Sequence, residues 1–447
     1  MNCHLSQMLS APLIKDSLKL SSSNVMLFLL PLAVTPILSR LYDPSLFGEW
    51  GVFSGVFVMI QIILYASYEY VIIQSDEEEV TAICALCLLI AFSFISLCVL
   101  LFQIGLFFEI GFFRNFPCPD YLFAYLLITA WLGIFQNIAN RQKRYGLMAA
   151  SYALMGGSQA VFRIIFGLSV LFANGLIAGT IYAQLLNVLF FACFLPAACP
   201  KELIRTVSWH KIRTCAKKYH RFPLYDAPSL LLSFAAFNLP VVILSLYFSK
   251  TDVGYYSVVI QLLLMPLSFV GNAIGKVYYQ QISQNQTNQT QISEKSLTVV
   301  KIVAYLSVLP TLCIVVGGDR LIAVFLGEKW TTTADMVLCL TLWSIPTILT
   351  QPLLSLYRCL DRQRTLLIYD ALYFTAGIGA LIGACMAGCR LYPTLILYAL
   401  ACSIARTLLF RDILKRASIR ATSLPTPAKW LWGGCILLLA IRLFSIL

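Results

Sequence analysis

The feature that most constrains this chain is a succession of apolar blocks separated by a few polar or charged positions. Each block is close to the roughly 20 residues that a helix needs to cross about 30 Å of hydrocarbon. A backbone in hydrocarbon has no water to bond, so each block must satisfy its own N–H and C=O groups within a helix. A transmembrane β-barrel would instead show short stretches of alternating apolar and polar residues, and the chain lacks them. The blocks lie near residues 21–42, 47–73, 80–108, 121–140, 147–173, 176–196, 222–248, 253–282, 297–316, 334–357, 365–388 and 392–410. They predict an all-α membrane protein with about twelve transmembrane helices. The stretch Trp430–Leu447, apolar apart from Arg442, is either a thirteenth crossing or an interfacial helix.

Composition supports this class: 60% of the residues are hydrophobic and 12% charged, against about 45–50% and 25% in soluble domains. The apolar run after Lys15 and Lys19 is too long for a signal-peptide core and has no convincing cleavage site, so it reads as a retained first span. Nearly all of the 15 cysteines fall inside apolar blocks, among them Cys84, Cys87, Cys385 and Cys389, where free Cys packs as a small hydrophobe. His4, His210 and His220 lie outside the blocks, which argues against a metal site of His and Cys ligands.

The formal charge of +12 is a topology signal rather than a sign of nucleic acid. With the N-terminus in the cytoplasm, the connections around Arg141–Arg144, Lys201–Arg221, Arg358–Arg364 and Arg411–Arg420 all fall on the inner side. The outer side keeps Arg40, Arg114, Lys250, Arg320, Lys329 and Arg390. This is the positive-inside pattern, and it brings an affinity for anionic membrane lipids. The acidic run Asp76–Glu79 reads as a solvated inner turn without a basic partner.

The long basic connection divides the chain into an N-terminal six-helix bundle (1–213), a C-terminal six-helix bundle (214–420) and an extra apolar segment (421–447). The halves echo each other. Leu30-Pro31, Ser39-Arg40 and Asp43 through Gly48 correspond to Leu239-Pro240, Ser249-Lys250 and Asp252-Val253-Gly254. Six spans per half put both halves in the same orientation, related by an axis along the membrane normal. Two such bundles can rock about a central cavity, and the paired Pro31 and Pro240 are candidate hinges because proline interrupts the helical hydrogen-bond ladder.

An ionisable group inside a span costs about 2.5–3.5 kcal/mol on insertion scales and is kept where it faces a cavity or a partner. Arg163, Lys276 and Arg406 lie within spans, and Arg40 lies at the end of one. Together they suggest a cationic cavity for an anionic substrate, since guanidinium groups bind phosphate oxygens in pairs. Glu69, Asp226 and Asp370 are the candidates to carry a coupling proton or sodium ion. Charges near helix ends also snorkel to head groups without any such role. Gln61, Asn137, Gln184, Asn187, Gln261, Asn272 and Gln351 suit sugar hydroxyls or helix–helix hydrogen bonds equally.

The chain has no phosphate-binding loop for ATP and no outer loop long enough for a catalytic domain, so the residues favour a secondary transporter over an enzyme. A cation-coupled multidrug antiporter and a membrane polysaccharide polymerase or glycosyltransferase are the alternatives. The layout, Leu30-Pro31, Ser39-Arg40-Leu41-Tyr42, Phe47-Gly48, Arg163 and Asp252-Val253-Gly254-Tyr255-Tyr256 together resemble the Wzx-type O-antigen and polysaccharide flippases. These belong to the MATE-like multidrug/oligosaccharidyl-lipid/polysaccharide (MOP) exporter superfamily. The resemblance implies two six-helix bundles in the bacterial inner membrane that move an undecaprenyl-diphosphate-linked oligosaccharide of O-antigen lipopolysaccharide or another surface polysaccharide. It implies no cofactor, coupling to a proton or sodium gradient, and a polysaccharide polymerase and chain-length regulator as partners. Arg40 and Arg163 match basic positions typical of that family, whereas Glu69 and Asp370 match none.

Overall fold

In a computed structural model of the protein the described residues are 30–31, 33–169, 172–195, 208–283, 289–360, 362–419, 433–435 and 437–443. Lys15, Lys19, most of the expected first span, the start of the long basic connection and Pro425 and Pro427 lie outside them. The described residues are overwhelmingly helical. The long helices are α1 (33–41), α2 (Pro44–Ile63), α3 (Glu77–Phe107), α4 (Pro119–Arg141), α5 (Tyr145–Leu168), α6 (Gly175–Phe194), α7 (Trp209–Lys218), α8 (Ala227–Tyr247), α9 (Lys250–Ser283), α10 (Gln289–Leu326), α11 (Thr332–Thr350), α12 (Gln363–Met386) and α13 (Leu391–Arg416). By length and composition seven of the described helices can cross a membrane. Large apolar side chains such as Leu100, Val161, Val324 and Ile404 are exposed on their outer faces, as a lipid solvent allows.

Local sequence sets several helix ends. Asn174 caps α6, its side-chain oxygen accepting from the N–H groups of Leu176 at 3.1 Å and Ile177 at 3.4 Å. Pro119 opens α4, where its missing N–H costs nothing. Gly388, at φ 71°, follows the end of α12 in the left-handed region that suits glycine.

The chain forms two compact units, Met1–Tyr42 with Glu49–Asn238, and Asp43–Gly48 with Leu239–Leu447. In the first, α6 packs against both α5 and α4. The approach of α5 to α6 is close at Gly179, where a methyl group would sit 2.8 Å from the Arg163 backbone nitrogen. Tyr42 ties in the end of α1 by donating to the Arg163 carbonyl at 2.6 Å. The amphipathic α7 buries Ile212 and Cys215 against α3. Its last residue, Lys218, pairs with Glu79 at 2.7 Å and lies 3.9 Å from Asp76, while the Tyr219 hydroxyl donates to Glu79 at 2.8 Å. The expectation that Asp76–Glu79 has no basic partner is therefore corrected: the partner lies 139 residues away in sequence. These hydrogen bonds hold the Lys218 ammonium above the usual lysine range.

In the second unit α13 packs against α11 and α12, and α9 against α11. The segment Asp43–Gly48 belongs here. Asp43 pairs with Lys329 at 2.8 Å, and the Phe47 ring meets Trp330 edge-on at 5.0 Å. A methyl group on Gly48 would collide with the Lys250 carbonyl, and one on Gly254 with the Pro44 carbonyl. The two echoing segments thus touch reciprocally, each glycine admitting the other's backbone. Toward the ends of α9, α11 and α13, Tyr278 bonds Ser296 at 2.6 Å, and Tyr357 donates to Asp412 at 2.6 Å within an apolar cluster.

Candidate functional site

The expected continuous span 47–73 is broken in the structure. After Ile63 the helix unwinds, Ala66 and Ser67 take positive φ of 50° and 63°, and a 3₁₀ turn Tyr68–Tyr70 leads into a short helix Val71–Gln74. Non-glycine residues there cost roughly 1–3 kcal/mol each and persist only where neighbours over-determine the backbone. Tyr65 supplies that constraint. Its hydroxyl lies 2.8 Å from the Ala130 carbonyl and 3.0 Å from that of Thr129, and its ring occupies space that any side chain at Gly133 would fill.

The break forms one wall of a cavity of about 560 Å³ within the first unit, completed by α2, α4, α5, α6 and α8. Gln61, Asn137, Gln184 and Asn187 all line it. These four amides come from three helices, α2, α4 and α6, and the fold brings them together. Gln184 donates to the Thr129 hydroxyl at 3.0 Å, Asn137 to the Gly133 carbonyl at 2.8 Å, and Asn187 accepts from Ser151 at 2.9 Å. Gln136, Tyr65, Tyr70, Tyr152 and Phe234 add polar and aromatic surface. Among the described lining residues Glu69 is the one carboxylate, and none is basic. Glu69 Oε2 and Asn187 Nδ2 are buried without a hydrogen-bond partner among the described residues. Each such group costs about 1–3 kcal/mol until a ligand satisfies it.

The expected cationic residues lie elsewhere. Arg163, 6% exposed, donates to Thr180 Oγ1 at 2.8 Å, and its guanidinium sits 4.8 Å from the centre of the Trp50 ring. Gln159, one turn before it, donates to the same hydroxyl at 3.3 Å. No carboxylate pairs with Arg163 among the described residues. Arg40 is exposed and donates to the Pro36 carbonyl of its own helix at 2.7 Å. In the second unit Arg406, 5% exposed, lies 3.5 Å from Asp370 and 4.3 Å from the Tyr373 ring centre. A residue expected to bind substrate and one expected to couple transport are thus one ion pair. Lys276 belongs to α9, and its side chain lies outside the described residues. Asp226 is exposed at the end of a π-turn, Phe222–Asp226. Pro240 is buried inside α8, and the Pro31 carbonyl accepts from Thr35 at 2.7 Å.

Several cavity residues escape the sequence reading, among them Tyr65, Thr129, Gln136 and Tyr152. A signal existed for α4: Tyr125, Thr129, Gly133 and Gln136 recur at helical spacing and mark a polar or small stripe on an otherwise apolar helix.

A profile of the family described as "Polysaccharide biosynthesis protein" matches residues 37–335. The chain belongs to this family. The Wzx-like identity expected from the sequence agrees with it. By sequence no curated protein matches. Among solved structures, "Lipid II flippase MurJ, inward closed conformation" is similar with TM-score 0.68 at 13% identity, over 95% of this chain and 92% of that one. An inward-facing multidrug resistance MATE family transporter of the MOP superfamily is similar with TM-score 0.67 at 14% identity, over 88% and 94%. A MOP superfamily transporter from Pyrococcus furiosus follows with TM-score 0.53 at 13% identity, over 91% and 95%. At these identities the likeness establishes the fold: the family member described here is a multi-pass, all-α membrane protein of MOP/MATE architecture.

Proposed function

We propose that this protein flips an undecaprenyl-diphosphate-linked oligosaccharide, a repeat unit of O-antigen lipopolysaccharide or another surface polysaccharide. It carries the unit from the cytoplasmic to the outer leaflet of the bacterial inner membrane by alternating access, with its N-terminus in the cytoplasm. It acts as a transporter rather than an enzyme and hands its cargo to a polysaccharide polymerase with its chain-length regulator. The observation that carries this reading is the cavity of about 560 Å³ lined by five amides, hydroxyls and aromatic rings inside a bundle of apolar helices. Such a lining suits sugar hydroxyls, and family membership and the likeness to a lipid II flippase add support.

In this reading Arg40, Arg163, Lys276 and Arg406 attract the diphosphate as it passes, since guanidinium pairs well with phosphate oxygens. Coupling falls to Asp370, whose contact with Arg406 an incoming proton or sodium ion would break. Asp226 is exposed, and Glu69 stands in the cavity itself. Pro31 and Pro240 serve as hinges. The boundary between the compact units falls between Asn238 and Leu239, beside Pro240, which suits that role.

Deleting the gene should abolish the surface polysaccharide and leave lipid-linked precursor in the cytoplasmic leaflet. The substitution Arg163→Ala should block export with normal membrane insertion, and unchanged surface polysaccharide would reject that role. A second reading, a cation-coupled multidrug antiporter, is favoured by the carboxylate in a cavity none of whose described lining residues is basic. Resistance to cationic dyes conferred by the gene and lost in Glu69→Gln would select it.

A further inference from the structure

We infer that the cavity of the first unit is a charge filter that seats uncharged sugars, hexoses and N-acetylhexosamines, and rejects sugars that carry their own carboxylate. The inference rests on the proposed flippase activity and specifies the glycan that it accepts.

Three observations carry it. The lining offers amides and hydroxyls, which donate and accept, but none of its described residues is Lys, Arg or His to neutralise an anionic sugar. The one carboxylate among its described residues, Glu69, is an acceptor when ionised, and one of its oxygens is buried without a partner among them. Among the described residues the buried cations lie outside this lining, Arg163 against Thr180 and Trp50, and Arg406 against Asp370 and Tyr373.

A sugar hydroxyl or acetamido N–H can donate to Glu69 while the amides of Gln184 and Asn187 meet neighbouring hydroxyls. Tyr152 and Phe234 offer flat surface for the C–H face of a ring. A uronic or sialic acid seated there would set two carboxylates together in a site of low dielectric. Either both charges remain and repel, or a proton must be taken up to bind at all. The break in α2 argues that this placement is built: the left-handed pair Ala66 and Ser67, clamped by Tyr65, carries the chain to Glu69.

The test uses full-length protein in proteoliposomes with two fluorescent polyprenyl-diphosphate disaccharides, one of N-acetylhexosamine and hexose, the other with hexuronic acid in place of the hexose. The neutral lipid should cross at least about tenfold faster than the acidic one. Glu69→Gln should raise the acidic-to-neutral rate ratio severalfold. Equal rates for the two lipids in the wild-type protein, or an unchanged ratio in a Glu69→Gln protein that is monodisperse in detergent, overturns the filter and leaves flippase activity standing. Should neither lipid cross, the flippase reading fails and the filter with it. If Glu69→Gln does not fold, the wild-type ratio alone decides.

Discussion

Among the described residues each compact unit buries one arginine, and the two units accommodate it differently. Arg406 in the second unit has a carboxylate, Asp370, at 3.5 Å and a tyrosine ring beneath it. Arg163 in the first has a hydroxyl and a tryptophan ring but no carboxylate among the described residues. A buried charge without its counter-charge is costly, and stacking plus one hydrogen bond offsets only part of that. The pair in the second unit is self-contained, whereas Arg163 has no counter-charge among the described residues and belongs to the unit that holds the polar cavity. The contrast separates an arginine balanced by a carboxylate from one accompanied only by a hydroxyl and a ring.

The contrast can be broken by substitution. The largest effect should come from Arg406→Ala, which strands Asp370. We expect a loss of about 3 kcal/mol, the low end for a broken buried pair because the Asp370 side chain keeps 33% of its surface exposed. Thermal unfolding in detergent measures it, and Asp370→Asn combined with Arg406→Met should recover much of the loss. Next comes Gly179→Ala, whose new methyl would meet Arg163 and force α5 from α6 at a cost of about 1–3 kcal/mol. Arg163→Met should cost little stability, or gain some, because replacing a buried charge by an apolar side chain of similar size is often neutral or favourable. Export should nevertheless fall, and a matching collapse of stability would erase the distinction between the two arginines. The smallest effect belongs to Lys218→Ala. That ion pair is exposed, so no change in melting should be measurable at high salt.

Much of this was legible in the sequence. Apolar block length carried the helices because hydrocarbon thickness sets it, and the echo of Asp43–Gly48 in Asp252–Gly254 marked two related segments but not the reciprocal glycine contact between them. Four of the five cavity amides were visible as polar residues in spans, but their convergence depends on helix rotation, which composition does not encode. The break after Ile63 left no local sign. Tyr65-Ala66-Ser67-Tyr68 contains neither glycine nor proline, and the strain is held by a contact to α4 some 65 residues away. Lys218 with Glu79, and Arg406 with Asp370, were likewise hidden because partners distant in sequence meet only through packing.

The most direct test of the central claim is photo-crosslinking with a diazirine placed on the sugar of a polyprenyl-diphosphate oligosaccharide, followed by peptide mapping. The account predicts label on the cavity-lining stretches of α2, α4 and α6, around Gln61, Asn137 and Gln184, competed by unlabelled lipid-linked sugar. Label confined to outward faces such as those of Val161 and Ile404, with no competition, would contradict it.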